Sequence, residues 1–115
     1  MMPELKKYKM FIDGEWVDSE SKKTFETLNP ENNEPWAVVP EASEKDVDKA
    51  VKAAQKAFEG EWPKLLPRDR AKFLRAIADQ LRKNAEMLGE IETIDTGKLF
   101  RETKQQAIYL SLIHI

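Results

Sequence analysis

Asp95 is the residue whose type and position most invite chemistry. It follows Leu88 by seven residues and Ile91 by four, a spacing that sets it on the apolar face of a helix. It also falls at that helix's C-terminal end, where the macrodipole disfavours a carboxylate by up to about 1 kcal/mol. A carboxylate that is partly buried at the wrong end of a helix calls for a cation beside it. Two kinds of cation meet that need. One is a basic side chain, with Arg68, Arg70 and Arg75 as candidates; the other is a bound metal ion completed by further oxygen ligands.

Other reactive residue types are sparse. Gly14, Gly60, Gly89 and Gly97 are too scattered to form a phosphate-cradling loop. His114, the only histidine, lies in the uncharged ending AIYLSLIHI with no carboxylate spaced to partner it. Ser19 and Ser21 read as turn residues with no base in reach. The chain has no cysteine, which excludes a disulfide framework, a thiolate metal site and a cysteine nucleophile within these residues. No catalytic constellation is visible.

Composition narrows the classes further. The 115 residues are 41% hydrophobic and include three Trp and five Phe, enough for one domain with a modest core. Nineteen basic and 21 acidic residues leave a net charge of −2, which gives no electrostatic case for nucleic acid or an anionic membrane. The start, MMPELKKYKM, lacks the apolar stretch of a signal peptide, and no apolar run approaches the roughly 20 residues that span a bilayer. A cytoplasmic location is the expectation.

The elements that must position Asp95 fall into two stretches. Residues 8–40 are β-branched and aromatic, broken by turns. Asp13-Gly14 separates two short apolar runs and predicts a hairpin whose turn needs positive φ at both central positions. TFETLNPENNEPWAVVP reads as strand, turn and strand, with Asn32 or Asn33 as the left-handed residue. Residues 43–110 carry helical periodicity. Ser43 caps a first helix with Asp46 in a capping-box position, and Gly60 ends it. Pro67 opens a second helix with the stripe Phe73, Leu74, Ile77, Ala78 and Leu81. Asn84 caps a third, which runs through Met87, Leu88, Ile91 and Ile94 to Gly97, and a further amphipathic stretch starts near Leu99. The stripes are expected to pack a core. No internal repeat is present.

The ordered series FIDGEW, TFETLNP, DVDKAVKAA and ETIDTGK, at matching separations, resembles the amino-terminal segment of the aldehyde dehydrogenase superfamily over roughly residues 8–108. The resemblance implies an α/β fold. The chain would supply a β-hairpin and strand segment plus three to four helices, part of a coenzyme-binding domain of modified Rossmann type. It implies a cytosolic oxidoreductase that converts a small-molecule aldehyde to a carboxylic acid with NAD or NADP, through a cysteine thiohemiacetal and a thioester. It also implies a homodimer or homotetramer that engages neither nucleic acid nor membrane. The cysteine, the general-base glutamate and the coenzyme contacts belong to later segments of the family, so the resemblance transfers no catalytic or coenzyme-binding residue, and this chain alone is expected to be inactive. What transfers is a monovalent-cation site for K⁺ or Na⁺, built from main-chain oxygens of Thr27 and Leu28 and the carboxylate of Asp95. Leu28 stands where the family more often has Val or Ile, and PENNEP lacks the family's usual turn glycine.

The ending fits the family less well. LSLIHI is the translation of ctg tct ctt ata cac atc, which matches the end of a transposase-based sequencing adapter. The expected division is therefore 8–109 as the truncated family segment and 110–115 as an adapter-derived tail. A second reading keeps the same residues as a small helical interaction module that binds a partner through its exposed stripes.

Overall fold

A computed structural model describes residues 5–113. Five short strands precede four α-helices, and the chain divides into two compact units. One holds the residues up to Leu28 together with Asn33–Lys64; the other holds Asn29–Asn32 and the chain from Leu65 onward.

In the first unit, β2 (Met10–Ile12) and β3 (Glu15–Val17) form an antiparallel hairpin in the register Met10 with Val17 and Ile12 with Glu15. Its turn has φ of 51° at Asp13 and 82° at Gly14, the two positive values that a two-residue hairpin of this hand requires. Phe11 faces Trp16 across the strands with ring centroids 5.0 Å apart. A second sheet has the order β1 (Lys6–Lys7), β5 (Glu34–Pro40), β4 (Thr24–Asn29). The strand β1 was not foreseen: two lysines carry no β signal, and the parallel pairing of Lys6 with Ala37 and Lys7 with Val38 comes from tertiary context. Of the two candidate turn residues, Asn33 takes the left-handed conformation, with φ 60°.

Helix α1 (Glu44–Glu59) starts at Ser43 with both halves of the capping box formed, as the sequence predicts. It ends at Gly60, followed by a single 3₁₀ turn over Trp62–Lys64. In the second unit, α2 (Pro67–Lys83) carries Pro67 in its first turn. Asn84 takes the N-cap position of the third helix, as the sequence predicts, but without a side-chain cap. Its side chain makes no N-cap bond to α3 (Ala85–Thr96); its Nδ2 instead donates to the Gln80 carbonyl at 2.8 Å, closing the end of α2. A left-handed Gly97 terminates α3, and α4 runs Phe100–Ile113.

What is buried is small. Ala37 in the first unit and Ala78, Ala85 and Ala107 in the second form the apolar core among the described residues. The long side chains of the predicted stripes are open to solvent instead: Phe73 and Ile77 of α2 are each 54% exposed, and Phe58 of α1 is 67% exposed. The stripes are expected to pack, and within these residues they do so only in part: Ala78 is buried and Leu81, Leu88 and Ile91 are half-buried, while the others stay open.

The tightest packing joins α3 to α4. A Cβ at Gly89 would lie 2.9 Å from the Lys104 backbone, so only glycine permits this approach. The space beside it is filled by Thr103, fully buried, whose hydroxyl donates to the Gly89 carbonyl at 2.9 Å and lies 3.0 Å from the Thr93 hydroxyl.

Candidate functional site

Thr27 and Leu28 sit next to each other near the end of β4, where strand alternation turns their side chains to opposite faces. Thr27 is half-buried and Leu28 is 45% exposed. Both belong to the first unit, and Asp95 belongs to the second.

Asp95 departs from expectation. It lies in the last turn of α3, as the spacing predicts, but it is exposed. The reason is the choice of face. Ala85, Gly89 and Thr93, four residues apart, form the ridge that carries the buried alanine, the glycine against α4 and the threonine bonded to it. Asp95 is two residues beyond Thr93, about 200° further round the helix, on the opposite side. Leu88 and Ile91, which set the predicted apolar face, are themselves only half-buried. The helix is apolar on two sides, and the Asp95 side is the open one.

The backbone around Asp95 is closely fixed. Gly97 takes φ 74°, and its N–H donates to the Thr93 carbonyl at 2.9 Å. The Thr96 hydroxyl donates to the Glu92 carbonyl at 2.6 Å, and Lys98 Nζ reaches the Glu92 carboxylate at 2.7 Å. Within the same unit, Pro30 of the Asn-Pro turn closes on this helix end: a Cβ on Gly97 would stand 3.0 Å from Pro30 Cγ. The turn is itself shaped by Asn29, whose Oδ1 accepts the Glu31 N–H at 3.0 Å.

The donors proposed for a cation are chemically uniform. Two main-chain carbonyls and one carboxylate are hard oxygens, the set that suits an alkali or alkaline-earth ion and not a thiolate- or imidazole-seeking metal. Among the described residues no group of three His, Cys, Asp or Glu side chains could hold a metal ion. A single carboxylate with neutral carbonyls fits a monovalent ion best.

One ionised cluster escaped the sequence. Asp46, only 3% exposed, accepts the Ser43 N–H at 2.8 Å and the Ser43 hydroxyl at 2.7 Å. It also accepts the Glu20 N–H through both oxygens, at 3.1 and 3.2 Å. The Glu20 side chain in turn takes Lys49 at 2.8 Å and Lys45 at 2.9 Å. Bonds from the Ser43 backbone and hydroxyl hold the Asp46 carboxyl below the usual aspartate range, with the Glu20 N–H adding to them. The Lys49 and Lys45 ammoniums lower Glu20, and Glu20 raises Lys49 in return. The capping box was legible at a spacing of three residues; the Glu20 connection, 26 residues away, left no local signal. The cluster ties the β3–β4 connection to the start of α1. It is a structural clamp.

With this geometry in view, the relatives decide the family. The profile described as "Aldehyde dehydrogenase family" matches residues 16–113. The chain belongs to the aldehyde dehydrogenase family. An aldehyde dehydrogenase from Aspergillus niger is 52% identical over 89 residues, which cover 77% of this chain and 18% of that protein. Aldehyde dehydrogenase family 2 member C4 of Arabidopsis thaliana is 44% identical over 101 residues, 87% of this chain and 20% of its own length. Among solved structures, an NAD-dependent aldehyde dehydrogenase from Sinorhizobium meliloti superposes with a TM-score of 0.91 at 32% identity, over 96% of this chain and 22% of that one. A betaine aldehyde dehydrogenase from Staphylococcus aureus in complex with NAD⁺ superposes at 0.88 and 38% identity, over 92% and 21%. This aldehyde dehydrogenase chain thus spans about a fifth of the length of its curated relatives, and its mixed α/β fold is theirs. No helix among the described residues is long and apolar enough to cross a membrane.

Proposed function

We propose that this chain is the amino-terminal part of an NAD(P)-dependent aldehyde dehydrogenase that acts in the cytoplasm as a homodimer or homotetramer. The observation that carries the reading is the match of nearly the whole chain, at a TM-score of 0.91, to 22% of an NAD-dependent aldehyde dehydrogenase. In the full-length parent, an aldehyde is oxidised to a carboxylic acid through a cysteine thiohemiacetal and a thioester. A thiolate attack turns the carbonyl into an alkoxide able to release hydride. None of these 115 residues is a cysteine, so that nucleophile has to come from elsewhere in the parent.

The contribution of this segment is positional. Thr27 and Leu28 would offer carbonyl oxygens, and Asp95 its carboxylate, to a K⁺ or Na⁺ ion. Such an ion supplies a positive charge at the negative end of α3, where the helix dipole and the Asp95 charge reinforce each other. Asp95→Asn in the parent should weaken the dependence of thermal stability on K⁺, measured against a bulky organic cation at equal ionic strength. An unchanged K⁺ response would remove Asp95 from the site.

The inactivity of the isolated chain is directly testable. Purified and mixed with NAD⁺ and acetaldehyde or betaine aldehyde, it should leave the coenzyme oxidised, and formation of reduced nicotinamide above an enzyme-free control would overturn the reading. The exposed stripes of α1 and α2 favour one other reading, an interaction module. Sequencing the locus beyond residue 115 separates the two. Downstream cysteine and coenzyme segments support the enzyme, and a genomic stop codon with an expressed short protein supports the module. Genomic LSLIHI codons would sink the adapter origin of 110–115, of which His114 and Ile115 lie outside the described residues.

A further inference from the structure

We propose that a cavity in the first unit, framed by Lys7, Lys9, Lys22 and Lys23, binds a small anion bearing a phosphoryl or carboxylate group. The cavity measures about 360 Å³, the size of a small metabolite. Its floor includes Val38 and Pro40 of β5, and its one acidic residue is Asp18, already within 3.8 Å of Lys9.

Three observations point the same way. The first is the imbalance of charge, for four lysines and one aspartate line a single concavity of a chain whose net charge is −2. The second is the contrast with other lysines. Every lysine of α1, namely Lys45, Lys49, Lys52 and Lys56, faces a carboxylate. Lys7, Lys22 and Lys23 make no ion pair among the described residues.

The third is the way the loop is built. Lys22 adopts φ 55°, a left-handed conformation that a lysine rarely takes without compensation. Its N–H donates to the Ser19 carbonyl at 2.9 Å, and the buried Ser19 hydroxyl donates to the Lys23 carbonyl at 3.1 Å. That same Lys23 carbonyl also receives the Glu41 N–H at 2.9 Å, and Glu20, the residue after Ser19, is held by Asp46. The turn therefore presents two adjacent lysines from a backbone fixed in advance, which lowers the cost of ordering them around a ligand. A bound phosphoryl or carboxylate group would relieve the repulsion among these ammoniums through charge-assisted hydrogen bonds, while its carbon body lay against Val38 and Pro40.

The test is a heteronuclear NMR titration of the folded 115-residue chain with inorganic phosphate in one arm and malonate in the other. Each is compared with sodium chloride at matched ionic strength, because simple screening moves all exposed charges alike. Saturable shifts confined to the amides of 7–9 and 18–24 are expected. The double variant Lys22→Gly with Lys23→Ala, whose glycine keeps the left-handed turn, should bind about tenfold more weakly or worse. Lys23→Arg should bind nearly as well as the parent. If the double variant does not fold, Lys7→Ala in the same lining carries the same expectation of weakened binding. Preference for phosphate identifies a phosphoryl ligand, and preference for malonate a dicarboxylate. Shifts that merely follow chloride, or variants that titrate like the parent, overturn the proposal.

Discussion

At the scale of single residues, Asp46 gives the sharpest expectation. Its carboxylate is held by Ser43 and by the Glu20 N–H, and its pKa lies below the ordinary aspartate value of about 3.9. A depressed folded-state pKa means that the unfolded chain binds the proton first. The stabilisation is therefore whole above the unfolded value and is lost as pH falls through the folded one. Denaturant melts in steps from neutral pH downward should show stability declining below about pH 4, and Asp46→Asn should flatten that decline while lowering stability at neutral pH. Equal slopes for variant and parent would assign the acid sensitivity to other groups. Tyr8 shows the opposite condition. Among the described residues its enclosed phenolic oxygen finds no hydrogen-bond partner; its ring stands edge-on to Trp36 with centroids 6.2 Å apart and has Lys6 Nζ 5.1 Å from its own centroid, so ring contacts hold the side chain.

At the scale of elements, the contact of α3 with α4 shows how two opposing effects are weighed. Replacing Gly89 by alanine would favour the helix by roughly 0.5–1 kcal/mol through backbone entropy. The added Cβ would meet the Lys104 backbone at 2.9 Å, and backbone cannot rotate aside as a side chain would. Overpacking of this kind costs about 1–3 kcal/mol, and losing the Thr103 bond to the Gly89 carbonyl adds about 1 kcal/mol more. The clash wins. Gly89→Ala should lower stability by about 1–3 kcal/mol in thermal or denaturant melts, and an unchanged midpoint would show that α4 slides away at no cost. Sequence patterning could not foretell this contact, because a glycine inside a helical stripe and a threonine fourteen residues later carry no shared local signal. Turn chemistry was legible, since Asp13-Gly14, Ser43 with Asp46, Pro67 and Gly97 each act through neighbours a few residues away. The face taken by Asp95 was not. Periodicity reports that a helix has an apolar side, but α3 has two, and only the docking of α4 on the Ala85–Gly89–Thr93 ridge selects between them.

At the scale of the whole molecule, the exposed long side chains dominate. Val47, Val51 and Phe58 on α1, and Phe73, Leu74 and Ile77 on α2, are each more than two-fifths exposed. Contiguous apolar surface of this kind drives association. Light scattering should show a mass that rises with protein concentration, together with enhanced fluorescence of a hydrophobic dye; a strict monomer that leaves the dye dark would contradict this. The parallel pairing of β1 with β5 acts on another axis, time. Bringing Lys6 beside Ala37 closes a loop of about thirty residues, an entropic cost set against only two residue pairs. The β2–β3 hairpin lies inside that loop and forms from local contacts, so it closes first and shortens the search. The N-terminal lysines are then the last strand to join, and the first to leave when the unit opens.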